Sequence, residues 1–307
     1  MRLARVMVIE QPLIVARLTK EYVVSVNWLV PGLSSTDPVS LISHPSSLQH
    51  LEQRLEELVA ALTTGQVSLD WLCREGAVFH SDHLCFLPPV AHCSKCIAVA
   101  LNYMAHAEEG NLALPSAPAI FFKAPSSFIG HGQKVIGPAS SSRIDFEVEL
   151  AVVMGQRCSN LRADAWQHAV AGYTIINDVT ARDLQLQAMQ AQLPWDRTKS
   201  FDTFGPIGPW LVTPNEVSDP QNLVLELVVD GIVHQRASTA DMVFPIGRLL
   251  EIISESLTLE PGDVIATGTP AGIGQVMHGQ VMYARIDQLG VLANPVVYTR
   301  RADGGLP

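Results

Sequence analysis

The chain has 307 residues, 48% apolar and only 16% charged, a balance that excludes disorder and requires a large core. Thirty acidic against twenty basic residues give a net charge of −10, which provides no electrostatic footprint for nucleic acid or an anionic membrane. No apolar run reaches the roughly 18 residues of a membrane helix, and Arg5, Glu10 and Pro12 break the opening segment too early for a signal peptide. A soluble, cytoplasmic protein is expected, of the small-molecule enzyme class.

In chain order, the segment to about Gly32 alternates apolar and polar residues (RVMVIE, LIVARL, YVVSVNWL), as short antiparallel strands do. A Ser/Pro/Asp-rich loop leads to a helix with Leu48, Leu51, Leu55, Leu58 and Leu62 on one stripe. Ser46 and Gln49 form its candidate capping box, and Gly65 its stop. Pro88-Pro89 make a stiff connector, which places a small α+β lobe at residues 1–90 and the main domain at 91–307. Beyond about Cys96, CIAVAL, DFEVELAVVMG, GYTIIND and NLVLELVVDGIVHQ read as strands, the last turning at Asp230-Gly231. One helix is clear, FPIGRLLEIISESL, with Pro245 near its first turn and Ile246, Leu249, Leu250, Ile253 and Leu257 on its buried face. So many strands with so few helices argue against a doubly wound nucleotide fold and for a mainly β α+β protein, a sandwich or roll. The glycine-rich GTPAGIG lacks the Lys-Ser/Thr ending of a phosphate loop.

Two clusters carry metal-ligand chemistry. In IDFEVEL, Glu147 and Glu149 stand two apart on a strand and share a face, and Asp145 has the same parity. Like charges raise one another's pKa unless a cation neutralises them, and Mg²⁺ takes carboxylates plus water. Asn177-Asp178 ends another apolar strand and adds an acid. The alternative is a solvated sheet face with its acids outward. The second cluster packs Cys73, Cys85, Cys93 and Cys96 into 24 positions, interleaved with His80, His83 and His92. Only Cys93–Cys96 has the spacing of a zinc knuckle, so incidental or buried thiols are expected in place of a zinc module.

Acid–base candidates lie elsewhere. If NYMAHAEEG is helical, His106 and Glu109 are neighbours three apart, either a surface pair or a general base whose tautomer the carboxylate fixes. Lys199, one of five lysines, sits among apolar and turn residues, and Arg182 and Gln185 follow Asp178 closely. The Thr267-Gly268-Thr269-Pro270 turn presents hydroxyl and backbone N–H groups to an anion.

Taken together, NYMAHAEE, FFKAPSSFIG, IDFEVELAVVMG, GYTIINDVTARDLQ, KSFDTFGPIGPW and GDVIATGTPAGIG resemble, in order, the motifs of the fumarylacetoacetate hydrolase family, over about Cys96 to Val297. The resemblance implies a mixed β-sandwich roll, usually a homodimer. It implies Glu147, Glu149 and Asp178 as ligands of Mg²⁺ or Mn²⁺, with Asp145 beside them and not a ligand. It makes His106 and Glu109 a dyad on a lid that orders over ligand, with Lys199 as a third catalytic group. Substrate contacts fall on Arg182, Gln185 and Thr269. The implied substrate is a 2-oxo or 2,4-dioxo carboxylate. Hydrolysis of a C–C bond in an acylpyruvate or fumarylpyruvate is the first reaction. Decarboxylation or isomerisation of an oxaloacetate-like acid or ring-cleavage product is the second. Three carboxylates and a divalent cation leave one negative charge, which Lys199 cancels, so that Arg182 remains for the substrate carboxylate. Two segments depart from the family pattern. The loop after Gly274 is several residues shorter, with His278-Gly279-Gln280 where P-G-D is usual, and is expected to reshape a pocket wall or a dimer contact. The AQLPWDRTK loop is expected to turn Trp195 and Arg197 toward substrate.

Overall fold

A computed structural model describes residues 1–33, 35–111 and 113–299, so the last positions of the expected 91–307 segment, 300–307, lie outside the described residues. The N-terminal part runs β1 (Arg2–Val8), β2 (Gln11–Arg17), β3 (Tyr22–Ser25), α1 (Val26–Leu29), α2 (Pro38–Ile42), α3 (Pro45–Thr63), α4 (Leu69–Arg74), β4 (Val78–His80) and β5 (Cys85–Leu87). Next come β6 (Cys96–Ala100), α5 (Met104–Glu109), β7 (Ala119–Lys123), β8 (Phe128–Ile129), β9 (Val135–Gly137), β10 (Ile144–Phe146) and β11 (Val148–Met154). Then follow β12 (Val170–Asn177), β13 (Thr180–Ala181), α6 (Arg182–Gln190), β14 (Gly205–Val212), β15 (Val224–Val229) and β16 (Ile232–Ser238). The chain closes with α7 (Ile246–Ser256), β17 (Val264–Ala266), β18 (Gly274–Gln275), β19 (Val281–Ile286) and β20 (Gly290–Tyr298). The result is the mainly β α+β architecture that the strand count demanded. Among the described residues, no helix is long and apolar enough to cross a membrane.

Local signals explain several boundaries. The α3 helix stops at a Schellman motif: Gly65 at φ +73° donates to the Leu62 carbonyl, and Gln66 N–H to that of Ala61. Its start differs from expectation. Pro45 occupies the first turn after His44, so Ser46 lies inside the helix and its capping box with Gln49 does not form. The Asp230-Gly231 hairpin turn forms between β15 and β16, with both residues at positive φ (51° and 78°) as a type I′ turn requires. In α7, Ile246, Leu249, Leu250 and Ile253 are buried and Leu257, just past its end, is partly so.

A 12-stranded sheet runs in the order β4-β3-β2-β1-β14-β12-β11-β17-β6-β7, with β5 added on β1 and β8 on β14. Because β1 pairs with β14, this sheet is continuous across Pro88-Pro89. A five-stranded sheet, β16-β15-β19-β20-β9, packs against one of its faces. Along β11, Val148, Leu150, Val152 and Met154 enter the core shared with that second sheet and α7. The alternate residues Ala151 and Val153 join Leu51, Leu58 and Leu72 from α3 and α4 on the other face. Burial on both faces is why β11 reads as continuously apolar.

The break that matters for function falls at Glu147. It ends the pairing of β11 with β12, and β10 pairs instead with β13 and β18 in a small three-stranded sheet. At the crossing Glu147 N–H donates to the Asn177 side chain (2.8 Å), and Asp178 N–H to the Glu147 carbonyl (2.8 Å). Two neighbouring strands therefore change sheets at one level and release two acids there.

Candidate active site with a carboxylate metal centre

Glu147, Glu149 and Asp178 are all buried, and one ligand oxygen from each lies within 4.8 Å of the others. The solvated-face alternative is thereby excluded. Val148 pairs with Asn177 across β11 and β12, which places Asp178 beside the pair of glutamates. The cluster opens into a cavity of about 280 Å³, also lined by His106, Arg182, Gln185, Lys199 and Thr269.

The charges in this cavity are unequally partnered. Lys199 Nζ donates to Glu147 Oε2 (2.7 Å) and to Asp178 Oδ2. Arg182 donates to Glu147, to Asp145 Oδ2 (2.9 Å) and to the Gln185 side-chain oxygen. Burial alone would push the Glu147 carboxyl up; the Lys199 ammonium and Arg182 guanidinium outweigh it and hold the group at about 2. Lys199 itself is pulled down by burial but raised more strongly by Asp178 and Glu147.

Glu149 is the exception. Its partner is a backbone group, Gly268 N–H (2.8 Å), and burial with the neighbouring Asp178 and Glu147 charges raises its carboxyl well above the usual range. A buried carboxylate without a cation is costly. Three convergent carboxylate oxygens, one of them in that state, fit a hard divalent cation, with Glu147, Glu149 and Asp178 as the side chains that would hold it.

Sequence reasoning overlooked three contributors, Lys123, Arg143 and Gln235. Lys123, at the end of β7, is buried and donates to Asp178 Oδ1 (2.9 Å) and to the Lys199 carbonyl. Its signal was present: a lysine closing the apolar strand AIFFK, two residues from Phe121 and so on the same face. Asp145 receives both Arg143 (2.9 and 3.1 Å) and Arg182, so Arg182 is already neutralised. The simple tally, in which Arg182 stays free for substrate, is therefore corrected. Four carboxylates (Asp145, Glu147, Glu149, Asp178) face four cations (Lys123, Arg143, Arg182, Lys199), and a divalent ion makes the whole site cationic. Finally, buried Gln235 on β16 accepts from Val148 N–H (3.0 Å) and donates to Thr269 Oγ1 (2.8 Å). Nothing in GIVHQRAS signals that burial.

Of the other predicted positions, His106 and Glu109 do share a face of α5, with Nδ1 3.4 Å from Oε2. Glu109 stands behind the cavity wall and accepts from Gly272 N–H (3.1 and 3.2 Å). Thr269 Oγ1 donates to the Val148 carbonyl (2.9 Å). Trp195 lines the cavity, whereas Arg197 is exposed and stands outside it. The 277–280 turn does not border the cavity; Gln280 reaches Asp230 at the β15–β16 hairpin instead. The cysteines do not converge. Cys73 and Cys85 are exposed on α4 and β5, Cys93 donates to the Lys95 carbonyl, and Cys96 is buried in β6. Burial above all, and then Asp263, pushes the Cys93 thiol up to about 12, the reverse of what a thiolate ligand needs.

A β-sandwich roll with an oxygen-ligand metal centre at a sheet break defines a class, and comparisons with known proteins define it further. Residues 95–297 match the family model for the fumarylacetoacetate (FAA) hydrolase C-terminal domain. A curated relative, the 2,4-didehydro-3-deoxy-L-rhamnonate hydrolase of a Sphingomonas species, is 42% identical over 206 residues, which is 66% of this chain and 71% of that one. Among solved structures, the 5-carboxymethyl-2-hydroxymuconate delta-isomerase of Mycobacterium smegmatis aligns over 98% of this chain and 100% of its own at 31% identity, TM-score 0.74. The maleylpyruvate hydrolase of a Sphingobium species, solved with manganese(II) and pyruvate, aligns over 98% of this chain and 100% of its own at 28% identity, TM-score 0.76. The chain belongs to the fumarylacetoacetate hydrolase family.

Proposed function

We propose that this chain is a divalent-metal-dependent hydrolase that splits a C–C bond of a 2,4-dioxo carboxylate of the acylpyruvate type, releasing pyruvate and a carboxylic acid. The observation that carries the reading is the buried Glu147–Glu149–Asp178 cluster opening into a cavity with Lys199, Arg182 and His106. Magnesium or manganese held by those acids supplies a Lewis acid toward a 2-oxo carboxylate. The manganese and pyruvate in the Sphingobium hydrolase structure support both halves of that pairing.

The chain's own groups do the rest. With a divalent ion held by the acids the site carries net positive charge, and Arg182 and Lys199 line the end of the cavity that would receive the substrate carboxylate, with Gln185 and Thr269 as hydrogen-bond partners beside them. His106 takes a proton from water, and Glu109, itself held by Gly272 N–H, orients the imidazole. The water oxygen bonds to the acyl carbon C4, the C3–C4 bond breaks, and its electron pair stays on C3. Lys199 is the ammonium in the cavity from which C3 takes a proton. A homodimer in the cytoplasm completes the proposal. The isomerase among the structural neighbours favours a second reading, decarboxylation or isomerisation at the same charged end.

The test is turnover of acylpyruvates, fumarylpyruvate and oxaloacetate with Mg²⁺, with products resolved by mass. Pyruvate plus a free acid is the expected result. Release of CO₂ moves the chain to the second reading. Silence on every 2-oxo acid with metal bound overturns both.

A further inference from the structure

We infer that the acyl end of the substrate is apolar and uncharged, an alkanoyl or aroyl group, and does not carry a second carboxylate. This rests on the acylpyruvate reading above and specifies it. The cavity is divided. Its side-chain cations, Arg182 and Lys199, are gathered at one end with the acids, and His106 lines the same cavity. The remaining wall is formed by Leu101, Phe121, Leu186, Met189, Trp195 and Ile273. Phe121 marks the border: Lys199 Nζ lies 5.1 Å from its ring centroid, and the Trp195 ring lies 4.5 Å away on its other contact.

The α6 helix gives the division a length. Arg182, Gln185, Leu186 and Met189 follow the spacing of one helix face and all line the cavity. The wall therefore passes from guanidinium to thioether over seven residues, about 10 Å of helix axis. Leu186 and Met189 are 49% and 44% exposed, a large apolar exposure at the mouth that an apolar ligand would cover. Arg197, two residues from Trp195, is exposed and stands outside the wall. A carboxylate ending on this wall would lose water and meet no cationic side chain among Leu101, Phe121, Leu186, Met189, Trp195 and Ile273, whereas an alkyl or aryl end would gain by burial.

The experiment separates the wall from the reaction. Binding of 2-oxooctanoate and of 2-oxooctanedioate, equal in carbon count and differing in the terminal carboxylate, is measured by calorimetry with Mg²⁺ present. In parallel, hexanoylpyruvate and fumarylpyruvate are offered as substrates. The expected result is binding of the monoacid tighter by about tenfold or more, the scale of one desolvated group in an apolar pocket, and the same order in kcat/KM. Met189→Arg, at a half-exposed position, should narrow both gaps. The diacid binding as tightly as the monoacid, or fumarylpyruvate cleaved at least as fast as hexanoylpyruvate, overturns the inference while leaving the hydrolase reading intact. Preference for the monoacid with neither acylpyruvate cleaved overturns the hydrolase reading and keeps the apolar wall.

Discussion

The acids of β11 and the cysteines between Cys73 and Cys96 are two sets of metal-ligating side chains, and they fare in opposite ways. The four cysteines are crowded along the chain yet are spread over α4, β5, a loop and β6. Asp178 lies far along the chain from Glu147 and Glu149, yet sheet register sets it beside them. Closeness in sequence does not make a site; pairing across strands does, because it fixes faces and levels of residues that are otherwise unrelated.

The strongest way to break this contrast is Glu149→Ala. It should abolish metal binding by calorimetry and lower turnover about 10³-fold or more, since the Lewis acid is worth several kcal/mol. The metal-free fold should survive, because the loss removes a carboxyl that burial already disfavours, and leaves only Gly268 N–H unpaired. Retained metal in that variant would sink the site. Next in size is Lys123→Met. Removing a buried cation from Asp178 should cost roughly 3–5 kcal/mol in metal-free unfolding, with metal restoring part of it. An unchanged denaturation midpoint would show that Lys199 alone suffices.

His106→Ala should slow hydrolysis about 10²-fold, the low end for general-base catalysis. Any decarboxylation should fall much less, and equal losses would make the histidine a positioning residue. A smaller effect is expected from pH. The Glu149 carboxyl is raised above its ordinary 4.5 by burial and its acidic neighbours. Its share of metal-free stability is thus complete below 4.5 and declines as pH rises through the raised value. Metal binding must expel that proton, so the melting shift caused by Mg²⁺ should grow with pH over the same interval. A shift that stays constant from pH 4.5 upward contradicts this. Smallest of all, Cys93→Ser and Cys85→Ser should leave metal content unchanged and stability within about 0.5 kcal/mol for the exposed Cys85. Loss of bound metal in either would reverse the comparison.

These outcomes follow the boundary between what was legible in the residues and what was not. Local chemistry was readable: the Gly65 stop, the Asp230-Gly231 hairpin, the α7 stripe and the shared parity of Glu147 and Glu149. The capping box was misplaced because Pro45, one residue before Ser46, takes over the first turn. The partners of the charges were not readable. Lys123 meets Asp178 across 55 positions, Arg182 meets Asp145 across 37, and Gln235 meets Val148 across 87. Such contacts depend on sheet order, which no local period encodes. The family motifs brought the acids into register in advance, but they do not say that Arg182 is already engaged.

The turn after β17 carries a mechanical consequence. Asn102 donates to the Thr267 carbonyl (2.8 Å), and Glu109 accepts from Gly272 N–H, so the segment bearing His106 is fastened to the 267–272 turn at both of its ends. Gly268 sits between them at φ +97°, where an added Cβ would lie 2.8 Å from that of Asn102. The imidazole and the Thr269 hydroxyl are therefore mounted on one bracket. A ligand that displaces either must carry both, and a single methyl group at position 268 would act as a wedge driven into the joint.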